Sequence, residues 1–236
     1  PDEVNARLPL AVLALLGGPS VAGVLLTVVT DGRAGLLELM ARLRRGRVAT
    51  RWYVVALAVA PLLAASLLLA LSLHSRVFLP AFLATEDARH LITSGLVIAV
   101  GAGVFEEVGW TGFAIPRLRR RHGVLATGLM VGFAWAVWHV LPAYWMSSMV
   151  HGPLALTSYV LDPFLFLLPF RVLMVWVYDH THSVLVAMLM HTSLTATARI
   201  VTPTLAGANL IAFDLAWTVA MWVIVAVALR GRARGR

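Results

Sequence analysis

The chain has 236 residues, 60% of them hydrophobic and 13% charged, with a formal net charge of +8 and no cysteine. A soluble globular domain carries about 25% charged residues, so the composition excludes an ordinary water-soluble domain and points to a lipid bilayer as solvent. Disulfides are excluded as well.

A bilayer core needs roughly 20 mostly apolar residues per helix. Seven stretches meet or approach that need: about Leu8 to Thr30, Trp52 to Leu73, Leu91 to Pro116, Val124 to Trp145, Tyr159 to Tyr178, Ser183 to Ala198 and Asn209 to Leu229. They predict an all-α, polytopic transmembrane bundle forming one integral membrane domain over residues 1–236. The third stretch is interrupted by two glutamates and the sixth is short. No signal peptide is visible at the front, and because residue 1 is Pro the chain is read as starting inside a longer product or a trimmed one, where there is room for an eighth helix.

The loops alternate in charge. The loop 31–51, the segment after Pro116 and the C-terminal tail are rich in Arg, whereas 74–90, 146–158 and 199–208 are poor in it. By the positive-inside rule the Arg-rich loops and the C-terminus are cytoplasmic, and they meet anionic lipid headgroups there. All 19 basic residues are Arg, a usage that suggests a GC-rich bacterial genome and hence a bacterial cytoplasmic membrane. No basic region is large enough, or interleaved with exposed aromatics, to serve nucleic acid.

An ionisable side chain within a membrane costs a few kcal/mol or more and is a functional hypothesis by default. The groups predicted at depth are Glu106 and Glu107 in "GVFEEVGW", His139 in "WAVWH", Arg171 in "LPFRV" and His191 in "LMHTSLT". Asp162 and Asp214 fall near segment ends, where water or headgroups reach them. Six further histidines fall in loops, two of them in "YDHTHS". Adjacent helical residues point about 100° apart, so one glutamate faces a cavity while the other braces a neighbour. His191 and Thr195 share a helix face, as do Trp135 and His139. Two carboxylates and two imidazoles are the groups needed to activate water, by taking a proton and by binding a metal or an oxyanion. A cation pathway through the glutamates is a rival reading, but paired broken helices and repeat symmetry are not visible.

Three motifs occur in order between about Ala99 and Ala198: the Glu pair, an aromatic residue four before a His (Trp135, His139), and His-x-x-x-Thr (His191 to Thr195). In this they resemble the CPBP family of intramembrane proteases, which includes the eukaryotic CAAX prenyl endopeptidases and Abi-type bacterial proteins. The family pattern has Arg where Thr111 stands and often Asn where Thr195 stands. The resemblance implies a CAAX-protease-like intramembrane endopeptidase, with a catalytic core at about 99–198 and a cavity open toward the cytoplasm. It implies a peptide or membrane-protein substrate. Glu106 is then the base, Glu107 positions it, His139 and His191 bind zinc or the oxyanion, and Thr195 assists. Two imidazoles with a carboxylate can make a zinc site; without metal they hold the water and polarise the carbonyl. Trp110, Trp135 and Arg171 are expected to contact substrate, and Arg171 could supply the cation missing at Thr111. The alternative is a non-catalytic membrane scaffold of the same fold that binds or stabilises a partner, with the two threonines as its sign.

Overall fold

A computed structural model describes residues 2–147 and 155–233. The described residues are almost entirely helical. The long helices are α1 (Asp2–Leu43), α2 (Thr50–Ser72), α3 (Ala88–Gly109), α4 (Val124–Ser147), α5 (Ala155–Thr181), α6 (Val184–Ala196) and α7 (Gly207–Ala233). α3 runs on through a π-turn, Trp110–Ala114, into Ile115–Leu118, and α6 continues into a second, Thr197–Val201. Six of these elements are long and apolar enough to cross a membrane, and the apolar run Val124–Val140 of α4 is the shorter seventh. The polytopic bundle read from the sequence is therefore the fold. Part of the Arg-free stretch 146–158, including His151, lies outside the described residues.

One boundary differs from expectation. The first predicted segment ended at Thr30, but α1 continues to Leu43. It does so by bending at Gly32, whose φ of 58° and ψ of −145° only glycine adopts easily. Residues 33–43 of the predicted loop thus form a separate helical piece, and the Arg cluster Arg44, Arg45 and Arg47 follows it.

Lipid-facing surfaces stay apolar. Val29, Leu69, Leu73 and Val97 are among many large aliphatic side chains left exposed, which suits hydrocarbon. The interior is knit by small residues. On α2, Ala56, Ala60 and Ala64 recur at helical spacing and are buried, and α6 closes on this helix with Ser193 Oγ donating to the Leu57 carbonyl at 2.9 Å. Trp217 of α7 stacks on Phe166 of α5 with centroids 4.3 Å apart.

Two close approaches fix the site. A Cβ on Gly128 of α4 would lie 2.5 Å from Val172 Cα, and one on Gly132 would lie 3.3 Å from Leu168 Cα, both on α5. This glycine pair, four residues apart, lets the two backbones touch, as small residues do in membrane helix packing. On α3, a Cβ on Gly103 would stand 2.6 Å from the Met188 carbonyl oxygen of α6. Ion pairs tie the Arg-rich end: Arg119 grips Asp179 at 2.7 and 2.9 Å, and Arg117 pairs with Asp31. Ser183 caps α6 by accepting from Val186 N and donates to the Arg45 carbonyl.

Gly128→Ala is expected to destabilise the bundle, by about 1–3 kcal/mol of overpacking, because the obstructing atom is backbone. Gly101→Ala, where no atom lies within 4 Å, is expected to be neutral or slightly stabilising. Thermal melts of both variants in detergent, followed by tryptophan fluorescence, check the contrast.

Candidate active site

Glu107 is fully enclosed, with 0% exposure. Its Oε2 accepts from Arg171 Nη1 at 2.9 Å and from Thr111 Oγ1, and its Oε1 meets His191 Nδ1 at 2.8 Å. Helices α3, α5 and α6 therefore converge on one carboxylate. The threonine at the motif's Arg position donates to it, and the cation comes from Arg171 on another helix. Gly103, one turn before Glu107, brings α6 near enough for His191 to reach.

Glu106 points elsewhere, as its 100° offset requires. Its Oε2 accepts from Trp135 Nε1 at 2.9 Å, and the residue is 2% exposed. Its other oxygen takes no hydrogen bond from the described residues.

Trp135 joins these parts. Its ring carries the Arg171 guanidinium over one face at 3.9 Å. His191 and His139 meet it edge-on, with centroids 4.9 and 5.6 Å away. Its backbone carbonyl receives His139 Nδ1–H at 2.9 Å. A carbonyl only accepts, so His139 carries its proton on Nδ1 and leaves Nε2 bare when neutral. Facing a carboxylate, His191 Nδ1 is a donor too. Both imidazoles are thus oriented by fixed acceptors, the arrangement that commits a ring to one role. Glu106 lies close enough to His139 for their charges to interact.

A cavity of about 520 Å³ opens beside this cluster, lined by Trp135, His139, His191 and Thr195. It extends between α3, α5 and α7 to Thr202, Pro203 and Thr204. Those residues belong to the Arg-poor end of the bundle. The positive-inside reading and the implied cytoplasmic opening therefore do not hold together, because the cavity occupies the half away from the Arg-rich loops.

Other predicted residues fall as follows. Arg171 and Trp110, expected against substrate, do not line the cavity. Arg171 is 0% exposed and serves Glu107 and Trp135. Trp110 is half-buried and packs against buried apolar side chains. Asp214, expected within reach of water, is 1% exposed. Among the described residues no three of His, Cys, Asp and Glu come together as a metal-binding group, and this covers His180 and His182. Zinc on the two site imidazoles would need a carboxylate as third protein ligand, and Glu107 is already engaged by Arg171, Thr111 and His191. Sequence reasoning missed the donor role of Trp135; its indole nitrogen in an apolar helix, near a carboxylate that needs a donor, was the available signal.

Residues 88–197 match the family described as Type II CAAX prenyl endopeptidase Rce1-like. Over that span the chain is similar to that family. CAAX prenyl protease 2 of Methanococcus maripaludis is 27% identical over 99 residues, covering 41% of this chain and 36% of that protein. The chain thus spans little more than a third of the curated relative it matches. Both findings support the CPBP resemblance, and the Rce1-like span holds Glu106, Glu107, His139, His191 and Thr195.

Removing one partner of a buried ion pair strands the other, at about 3–5 kcal/mol. Arg171→Met is accordingly expected to lower stability sharply, and Arg171→Met with Glu107→Gln to recover part of the loss. A double-mutant cycle of melting in detergent measures the coupling; additive effects would show that the pair does not act as one.

Proposed function

We propose that this protein is an intramembrane endopeptidase that hydrolyses a peptide bond in a membrane-associated substrate, by water activated at a glutamate with two histidines beside it. The observation that carries the reading is the pair of imidazoles, each fixed through Nδ1 by a buried acceptor and each lining one cavity, with two carboxylates behind them. Water lies between Glu106 and Nε2 of His139. Glu106 takes its proton as the oxygen attacks the scissile carbonyl. The oxyanion forms beside His191 and Thr195, whose hydroxyl donates to it. Glu107 keeps Nδ1 of His191 engaged, so that Nε2 is the only nitrogen free to meet the substrate. Glu106 then delivers its proton to the leaving amine, which closes the proton balance.

Thr111 and Thr195, the signs of the scaffold alternative, do not weaken this reading. Thr111 is bonded to Glu107, Arg171 restores the charge, and Thr195 lines the cavity. The name of the Methanococcus relative makes peptides ending in a prenylated CAAX sequence the first substrates to try, beside unmodified membrane peptides.

Glu106→Gln and His139→Ala are each expected to lower kcat by about 10²–10⁴-fold while the protein inserts and melts normally. Full activity in both would remove the site from the reaction.

With the Arg-rich loops in the cytoplasm, the cavity is reached from the opposite side or from the lipid. The chain has no cysteine, so single cysteines report cleanly. In intact cells a membrane-impermeant maleimide should label Thr204→Cys, and should label Arg44→Cys only after permeabilisation. The reverse pattern would turn the bundle over and restore a cytoplasmic opening.

A further inference from the structure

The far end of the cavity holds two carboxyl groups that the hydrolytic reading does not use. Asp162 of α5 and Asp214 of α7 both line it, and their side chains face each other closely enough to interact directly. Asp214 is 1% exposed, and neither of its oxygens has a hydrogen-bond partner. Among the described residues neither aspartate has an ion-pair partner. Tyr159, one turn before Asp162, gives its hydroxyl proton to the Leu205 carbonyl at 3.2 Å. The one Arg among the lining residues, Arg199, is exposed and pairs with neither.

Buried polar atoms are nearly always satisfied, and two facing carboxyls repel when both are ionised, so that on their own they share a proton. A cation placed between them would answer both needs. Phe166, Leu210 and Phe213 beside them give the pocket apolar walls. That combination suits a side chain with an aliphatic stem and a charged head. The guanidinium fork can bond two carboxylates at once.

We propose that Asp162 and Asp214 form a subsite for a cationic side chain of the peptide, arginine above all, seated in the cavity that His139 and His191 share. The proposal rests on the endopeptidase reading and adds to it the chemical class of the substrate. A cavity of about 520 Å³ lies within the roughly 300–1,000 Å³ of ligand sites. It therefore takes a short segment of chain rather than a folded domain.

The test uses the full chain in phospholipid nanodiscs. A set of Ala/Leu peptides carries one arginine, walked along the sequence, and each has a twin with citrulline, which keeps the shape and loses the charge. At one position the arginine peptide should exceed its twin in kcat/KM by about tenfold or more. In Asp214→Asn that ratio should fall toward one, with Asp162→Asn as a second variant should the first fail to melt cooperatively. Equal rates for the twins at every position, or a ratio that survives both variants, would overturn the subsite while leaving the hydrolase intact. If no peptide is cleaved, the hydrolase reading fails instead. Fluorescence anisotropy of the same labelled peptides then still decides the subsite. Tighter binding of arginine than citrulline, lost in Asp214→Asn, supports it, and equal binding refutes it.

Discussion

A carboxylate with no access to water must find its whole solvation shell in the protein. Glu107 does, and most of the catalytic region follows from how. Arg171 supplies charge, Thr111 a hydroxyl and His191 an imidazole, from α5, α3 and α6. Moving any of these helices by an ångström or two would leave a charge stranded in apolar surroundings. The same constraint explains why Arg171, so deep in the bundle, is not a substrate ligand. Its guanidinium is committed to Glu107 and to the face of Trp135.

The arrangement divides labour between two adjacent glutamates. One is locked into structure and holds a histidine; the other keeps an oxygen that no described residue engages. Trp135 holds the two halves together through its indole nitrogen, its ring and its carbonyl. A residue that reads as a wall in the sequence is a junction in the structure.

Much of the fold was legible because a bilayer imposes simple rules. Segment length and apolar content gave the bundle, its six helices long enough to cross a membrane and the shorter apolar run of α4. The continuation of α1 past Gly32 was not legible, since a glycine in a polar stretch reads equally as loop. The site residues were legible by their chemistry: Glu106, Glu107, His139 and His191 stood out as polar groups in apolar helices. Their division of roles was only half visible. Helical geometry separated the two glutamates, but it could not say that Arg171 would reach one and Trp135 the other. Asp162 and Asp214 were set aside because their positions near segment ends suggested hydration. Burial of Asp214 depends on α7 packing against α5 through Trp217 and Phe166, which local sequence does not reveal.

The contact at Gly103 has a mechanical consequence. With no side chain there, α3 and α6 meet backbone to backbone just beside Glu107 and His191. Two rods in such contact neither slide nor part without breaking the buried pair, so they behave as a fixed jaw. Any breathing that admits a bulky guest must come from the opposing wall, where α7 leans on flat aromatic rings that can slip over one another.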